Sequence, residues 1–182
     1  MLSSLYKLLN LRVCWALLAI GCAGLLGFGL YLQHVVGLEP CPMCIVQRYA
    51  MTCLGLLGWV AWVVRHQRVQ QALVALGVLL AGFGAFVAAR QSWLQWYPPN
   101  IVSCGRDFYG MIESFPLQRA IPLIFRGSGD CTQVDWTFLG GSIANWSFVA
   151  FIAMMAWLLL VVWPQTKKTL SAANDANFDS QV

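Results

Sequence analysis

Pro40-Cys41-Pro42-Met43-Cys44-Ile45-Val46-Gln47-Arg48 marks the point where a polar segment carrying Gln33, His34 and Glu39 gives way to an apolar run. Pro42 suits the first position of a helix, where its missing N–H would have no intrahelical partner anyway. A helix that starts there puts Cys44 in the first turn, where unpaired N–H groups and the positive end of the macrodipole favour a thiolate. Arg48 lies four residues further on, shares that face and adds a full positive charge. The stretch predicts a reactive Cys-x-x-Cys at the mouth of a membrane-spanning helix, and redox chemistry rather than packing.

The apolar run it opens, Ile45 to Val64, is one of four; the others are Val13 to Leu32, Ala72 to Ala89 and roughly Ile143 to Trp163. Each is about 18–20 residues, enough to cross a bilayer as a helix. Of the 182 residues 59% are apolar and 10% charged, whereas soluble domains carry roughly 25% charged residues. The expectation is an all-α integral membrane protein: a four-transmembrane-helix bundle, one domain over 1–182, with a large loop between helices 3 and 4. Gly21, Gly24, Gly27 and Gly29 in the first span, and Gly77, Ala81, Ala85 and Ala89 in the third, are expected to allow close helix approach. The basic start and the apolar run after it resemble a signal peptide, but without an Ala-x-Ala site a retained span is expected.

Charge sets the orientation. Lys7, Arg12, Arg65, Arg68, Lys167 and Lys168 face only Asp175 and Asp179 on one side. On the other, Arg106, Arg119 and Arg126 meet Glu39, Asp107, Glu113, Asp130 and Asp135. The positive-inside rule then puts both termini in the cytoplasm and turns segments 33–44 and 91–142 outward. The excess positive charge reports topology and gives no reason to expect nucleic acid.

Of the seven cysteines, Cys14, Cys22 and Cys53 fall within apolar runs and read as small buried hydrophobes. Cys41, Cys44, Cys104 and Cys131 fall on the outward side, where disulfides persist. Four cysteines allow three pairings; the short 41–44 and long 104–131 loops favour pairing within each. In the loop, Phe108 to Phe125 mixes apolar and charged residues and suits a short surface helix. Trp136, Phe138 and Trp146 mark the return to the membrane, and the tail 165–182 reads as a polar extension.

Taken together, these motifs resemble the DsbB family of bacterial inner-membrane disulfide bond formation proteins. The resemblance rests on Cys41-Pro-Met-Cys44-x3-Arg48, Leu94-Gln95-x-Tyr97-Pro98, Cys104, Ser128-Gly129-Asp130-Cys131 and Trp136-x-Phe138-Leu139-Gly140. It covers nearly the whole chain except the tail. It implies an enzyme that carries electrons from a periplasmic thioredoxin-like partner, DsbA, to a membrane quinone, ubiquinone or menaquinone. By the same resemblance, Cys104 and Cys131 form a loop disulfide that meets the partner, Cys41 exchanges with it, and Cys44 and Arg48 face the quinone. Some relatives carry His where this chain has Gln91, so Gln91 is a candidate quinone contact that can donate a hydrogen bond but no imidazolium proton. A different class of reading is a four-helix membrane metallochaperone or assembly factor with structural disulfides. CxxC is also a metal-ligand spacing, but no His accompanies these cysteines in the large loop.

Overall fold

A computed structural model describes residues 11–98, 132, 134 and 136–164. Four long helices account for most of them: α1 (Leu11–His34), α2 (Pro42–Val63), α3 (Gln67–Trp96) and α4 (Ile143–Trp157). All four, the last continued to Leu160, are long and apolar enough to cross a membrane, so the chain is a multi-pass membrane protein with the expected four-helix architecture. The outer surface of the bundle is itself apolar, with Ile20, Leu56, Leu79, Phe86 and Leu160 exposed, as a hydrocarbon solvent requires.

Packing is sequential. α1 lies on α2, α2 on α3 and α3 on α4, while the end of α4 reaches back to α1. Cys14, Trp15, Leu18 and Cys22 on α1 meet Ala50, Leu54, Leu57 and Ala61 on α2, Val74, Ala81 and Ala85 on α3, and Phe151, Met154 and Leu158. Trp157 Nε1 donates to Cys14 O at 3.2 Å, tying the last helix to the first. After Trp157 the helix widens into a π turn over Leu158–Val162.

Three small-residue expectations change. A Cβ added at Gly21, Gly24 or Gly27 would meet nothing within 4 Å; their face of α1 points away from the neighbouring helices. The close approach to α1 comes from α2 instead, where a Cβ at Gly58 would lie 3.2 Å from Trp15 O and one at Gly55 3.1 Å from Cys22 Cβ. On α3, Gly77, Ala81 and Ala85 are buried but Ala89 is exposed, and Gly84 and Ala88 complete the ridge. A strict spacing of four gains about 40° per step on a helix of 3.6 residues per turn, so the stripe must shift back to stay on one face. Cys53 is also exposed, being one residue, or about 100°, from the buried Leu54.

The α2–α3 link is short, and Gln70 closes it by donating to Val64 O at 2.8 Å and Ala61 O at 3.4 Å. These are carbonyls that the end of α2 leaves without intrahelical donors. α3 runs through Arg90–Trp96 and stops before Pro98, because nothing before that proline breaks the helix. Its 30 residues span about 45 Å, more than the ~30 Å hydrocarbon core. Before α4 the chain forms a small hairpin, β1 (Thr137–Phe138) and β2 (Gly141–Ser142), with Phe138 opposite Gly141. Leu139 (φ 51°) and Gly140 (φ 80°) both take the left-handed conformation that a tight two-residue hairpin turn requires. Ser142 then caps α4, accepting from Asn145 N and donating to Gln95 Oε1 at 2.6 Å, which fixes the hairpin to the end of α3. The expected surface helix within 108–125, Cys104, Cys131 and the tail 165–182 lie outside the described residues.

Candidate active site

Cys41 is the N-cap of α2, in extended conformation, and its sulfur accepts from Cys44 N at 3.3 Å. Pro42 occupies the start of the helix and Met43 packs beneath it against Val87 and Leu94 of α3. Met43 is fully buried, so it seats the motif in the bundle. The helix start thus turns Cys41 and Cys44 toward each other, with their sulfurs 2.8 Å apart. Cys41 is buried and Cys44 half-buried.

On one side Cys44 opens onto a cavity of about 580 Å³. Leu25, Leu26, Phe28 and Leu32 of α1 and Met51 of α2 form much of its wall, and Ile143 and Ala150 of α4 add to it. The polar lining comes from Gln33, Glu39, Gln47, Arg48 and Ser147. Trp136, Phe138 and Trp146 complete it from the hairpin end; Trp136 meets Phe28 edge-on at 6.0 Å, and Trp146 Nε1 donates to Phe138 O at 2.9 Å. Gly141 is required here, since a Cβ would fall 2.9 Å from Trp146 Nε1.

Arg48 is turned into this cavity rather than out of the bundle. Its guanidinium donates to Gln33 Oε1 and, at 3.0 Å, to Gly29 O. Both acceptors are neutral, so these bonds fix the side chain without cancelling its charge. The arrangement is a sulfur and an oriented cation on one wall of an apolar, ring-sized space.

Gln91 lies elsewhere. It is not among the residues lining the cavity; it reaches the sulfurs from the interior of α3, with Nε2 3.2 Å from Cys41 Sγ and 3.3 Å from Cys44 Sγ. Gln47 Nε2 donates to its Oε1 at 2.8 Å. Gln33 and Gln47 are site residues that reading the sequence did not single out, and Trp136, Phe138 and Trp146, read there as the return to the membrane, also line the cavity. For Gln47 a signal existed, since it stands three residues after Cys44 and so on the same helix side. Gln33 is placed by helix–helix packing and carries no such local signal.

A protein-family model described as disulfide bond formation protein DsbB matches residues 11–161. The chain belongs to the DsbB family. Among its relatives are three named "Disulfide bond formation protein B". That of Polaromonas naphthalenivorans is 68% identical over 136 residues, covering 75% of this chain and 81% of the relative. That of Paracidovorax citrulli is 62% identical over 158 residues (81% and 84%), and that of Albidiferax ferrireducens 56% over 160 residues (88% and 92%). Membership of the DsbB family makes the chain a membrane redox enzyme of disulfide bond formation, acting with a thiol–disulfide partner.

Proposed function

We propose that this DsbB-family chain is an inner-membrane dithiol:quinone oxidoreductase. It reoxidises a periplasmic thioredoxin-like disulfide donor of the DsbA type and passes the electrons to ubiquinone or menaquinone. The observation that carries the reading is that Cys44 and Arg48 share one wall of an apolar cavity of about 580 Å³, within the 300–1,000 Å³ or so typical of small-molecule sites. The donor set fits a quinone. Leu25, Phe28, Leu32 and Met51 offer apolar surface to a ring, and Arg48 offers N–H donors to an oxygen. When bound, a quinone supplies an acceptor for two electrons and two protons.

The chain's own cysteines carry the earlier steps. A partner thiolate attacks the Cys104–Cys131 disulfide to form a mixed disulfide, and the partner's second thiol resolves it. The partner leaves oxidised and the loop pair is reduced. The loop dithiol then attacks the Cys41–Cys44 disulfide, so two electrons and two protons end on Cys41 and Cys44. In support of Cys131 as the relay, only four residues separate it from Trp136, which lines the cavity. Cys44 holds its sulfur at the cavity wall, and Arg48 holds a cation there, oriented by Gln33 and Gly29. The largely apolar wall around it lowers the local dielectric, which strengthens the field of that cation.

Anaerobic mixing of the purified protein with a reduced periplasmic thioredoxin-like oxidase and ubiquinone tests this, with quinone absorbance followed in time. Quinone should be reduced as the partner is oxidised, and Cys44→Ala should abolish the signal. Oxidation of the partner with no change in quinone absorbance would sink the proposal.

A further inference from the structure

Both ends of one buried amide are in use beside the cysteine pair. We infer that Gln91 is a positioning residue of the Cys41/Cys44 couple: its amide N–H groups hold both sulfurs, and Gln47 fixes which end of that amide faces them. The inference rests on the reading of Cys41 and Cys44 as the redox pair and adds to it a device that favours their reduced state.

The orientation follows from chemistry. An amide has a donor end and an acceptor end of nearly equal size. Gln47 Nε2 donates to Gln91 Oε1 at 2.8 Å, which leaves Gln91 Nε2 for the sulfurs at 3.2 and 3.3 Å. Flipping Gln91 would set its NH2 group against that of Gln47; as oriented, its Oε1 also lies 3.7 Å from Cys44 Sγ, where it accepts from that thiol when it is protonated. Water has little room to substitute, since Gln91 is 3% and Gln47 4% exposed. Cys44 N adds a further donor to Cys41 Sγ at 3.3 Å. A thiolate accepts such bonds far better than a disulfide sulfur, because hydrogen bonds to a charged acceptor are about twice as strong as neutral ones. Donors fixed here therefore stabilise the reduced pair more than the oxidised pair, and do so from a neutral side chain. A couple whose reduced form is stabilised is the stronger oxidant, as suits a pair that must draw electrons from a loop dithiol.

The test uses the full chain with Cys104→Ser and Cys131→Ser, equilibrated in glutathione buffers. Two thiols of the pair pass two electrons and two protons to glutathione disulfide, giving the Cys41–Cys44 disulfide and two glutathione thiols. Alkylation and mass spectrometry read the ratio. Gln91→Met, which keeps length and loses the donors, should shift that equilibrium about tenfold toward the disulfide, about 30 mV. The pH profile of alkylation should move to higher pH. Gln47→Met leaves the donor present but unanchored, so a smaller shift of the same sign is expected. Equilibria and pH profiles unchanged in both variants would overturn the role of Gln91 and leave the redox pair standing. If the unsubstituted pair fails to titrate as a two-electron couple, the underlying reading falls as well.

Discussion

A guanidinium held by an amide oxygen and a backbone carbonyl keeps its positive charge available, and that is the state of Arg48 on the cavity wall. Replacing it with Gln should act on the quinone step, because the partner-facing cysteines are assigned to the large loop. A hydrogen bond to a charged group contributes about 1.5–3 kcal/mol, so stopped-flow quinone reduction by Arg48→Gln should slow by at least an order of magnitude. Exchange with the partner should be unaltered; normal quinone kinetics would leave Arg48 with no part in the chemistry. Cys14 and Cys22 belong to the core and Cys53 to the outer surface. Cys14→Ala and Cys22→Ala should each cost about 1 kcal/mol of stability through lost packing, whereas Cys53→Ala should fall within about 0.5 kcal/mol of wild type. Turnover should survive all three, and loss of activity in any one would reassign that thiol. Cys44 and Arg48 were legible because their relation is local, four residues on one helix face. The grip of Gln33 and Gly29 on Arg48 was not, since it crosses between helices that sequence periodicity alone does not dock. Gln91 was legible as important but not in its contacts, which depend on α3 passing behind the start of α2.

Helices were easier to read than their contacts. Each apolar run became a helix, since a backbone in hydrocarbon has few other ways to satisfy its polar groups. The hairpin at 137–142 went unread because Leu139, a branched side chain, takes the left-handed turn position next to Gly140, where Asn or Gly is the usual signal. Gly84 shows what small residues alone could not reveal. A Cβ there would stand 2.3 Å from Phe151 Cε1, inside the ring's own volume. At Gly77 the nearest atom, Leu158 Cδ1 at 2.9 Å, ends a flexible chain. Overpacking a well-filled core costs about 1–3 kcal/mol, so Gly84→Ala should lower thermal stability by that order while Gly77→Ala costs clearly less. Phe151→Leu should recover part of the loss in the Gly84→Ala background. A Gly84→Ala protein as stable as wild type, measured by thermal unfolding in detergent, would show that α3 and α4 are not locked by this contact.

For the molecule as a unit, the bundle joins its chemistry to one end. Cys41, Arg48, the hairpin and the α3 terminus at Gln95 converge there, while the short link at residues 64–66 lies at the other end of α2 and α3. Which end faces which compartment is decided by charge. Arg65 lies in the link and Arg68 just after it, and the α1–α2 segment at the cysteine end carries Glu39 but no Lys or Arg between residues 33 and 44. Lys and Arg in short loops are retained on the cytoplasmic side, so the cysteine end should face the periplasm, as the exchange partner proposed above requires. Val35, 69% exposed on that segment, and His66, exposed in the link, provide positions for a direct test. In a full chain whose native cysteines are replaced, Val35→Cys should react with a membrane-impermeant maleimide applied to intact spheroplasts. His66→Cys should react only after the membrane is permeabilised. The opposite labelling pattern would invert the protein and remove the partner-facing side from the compartment in which disulfides are made.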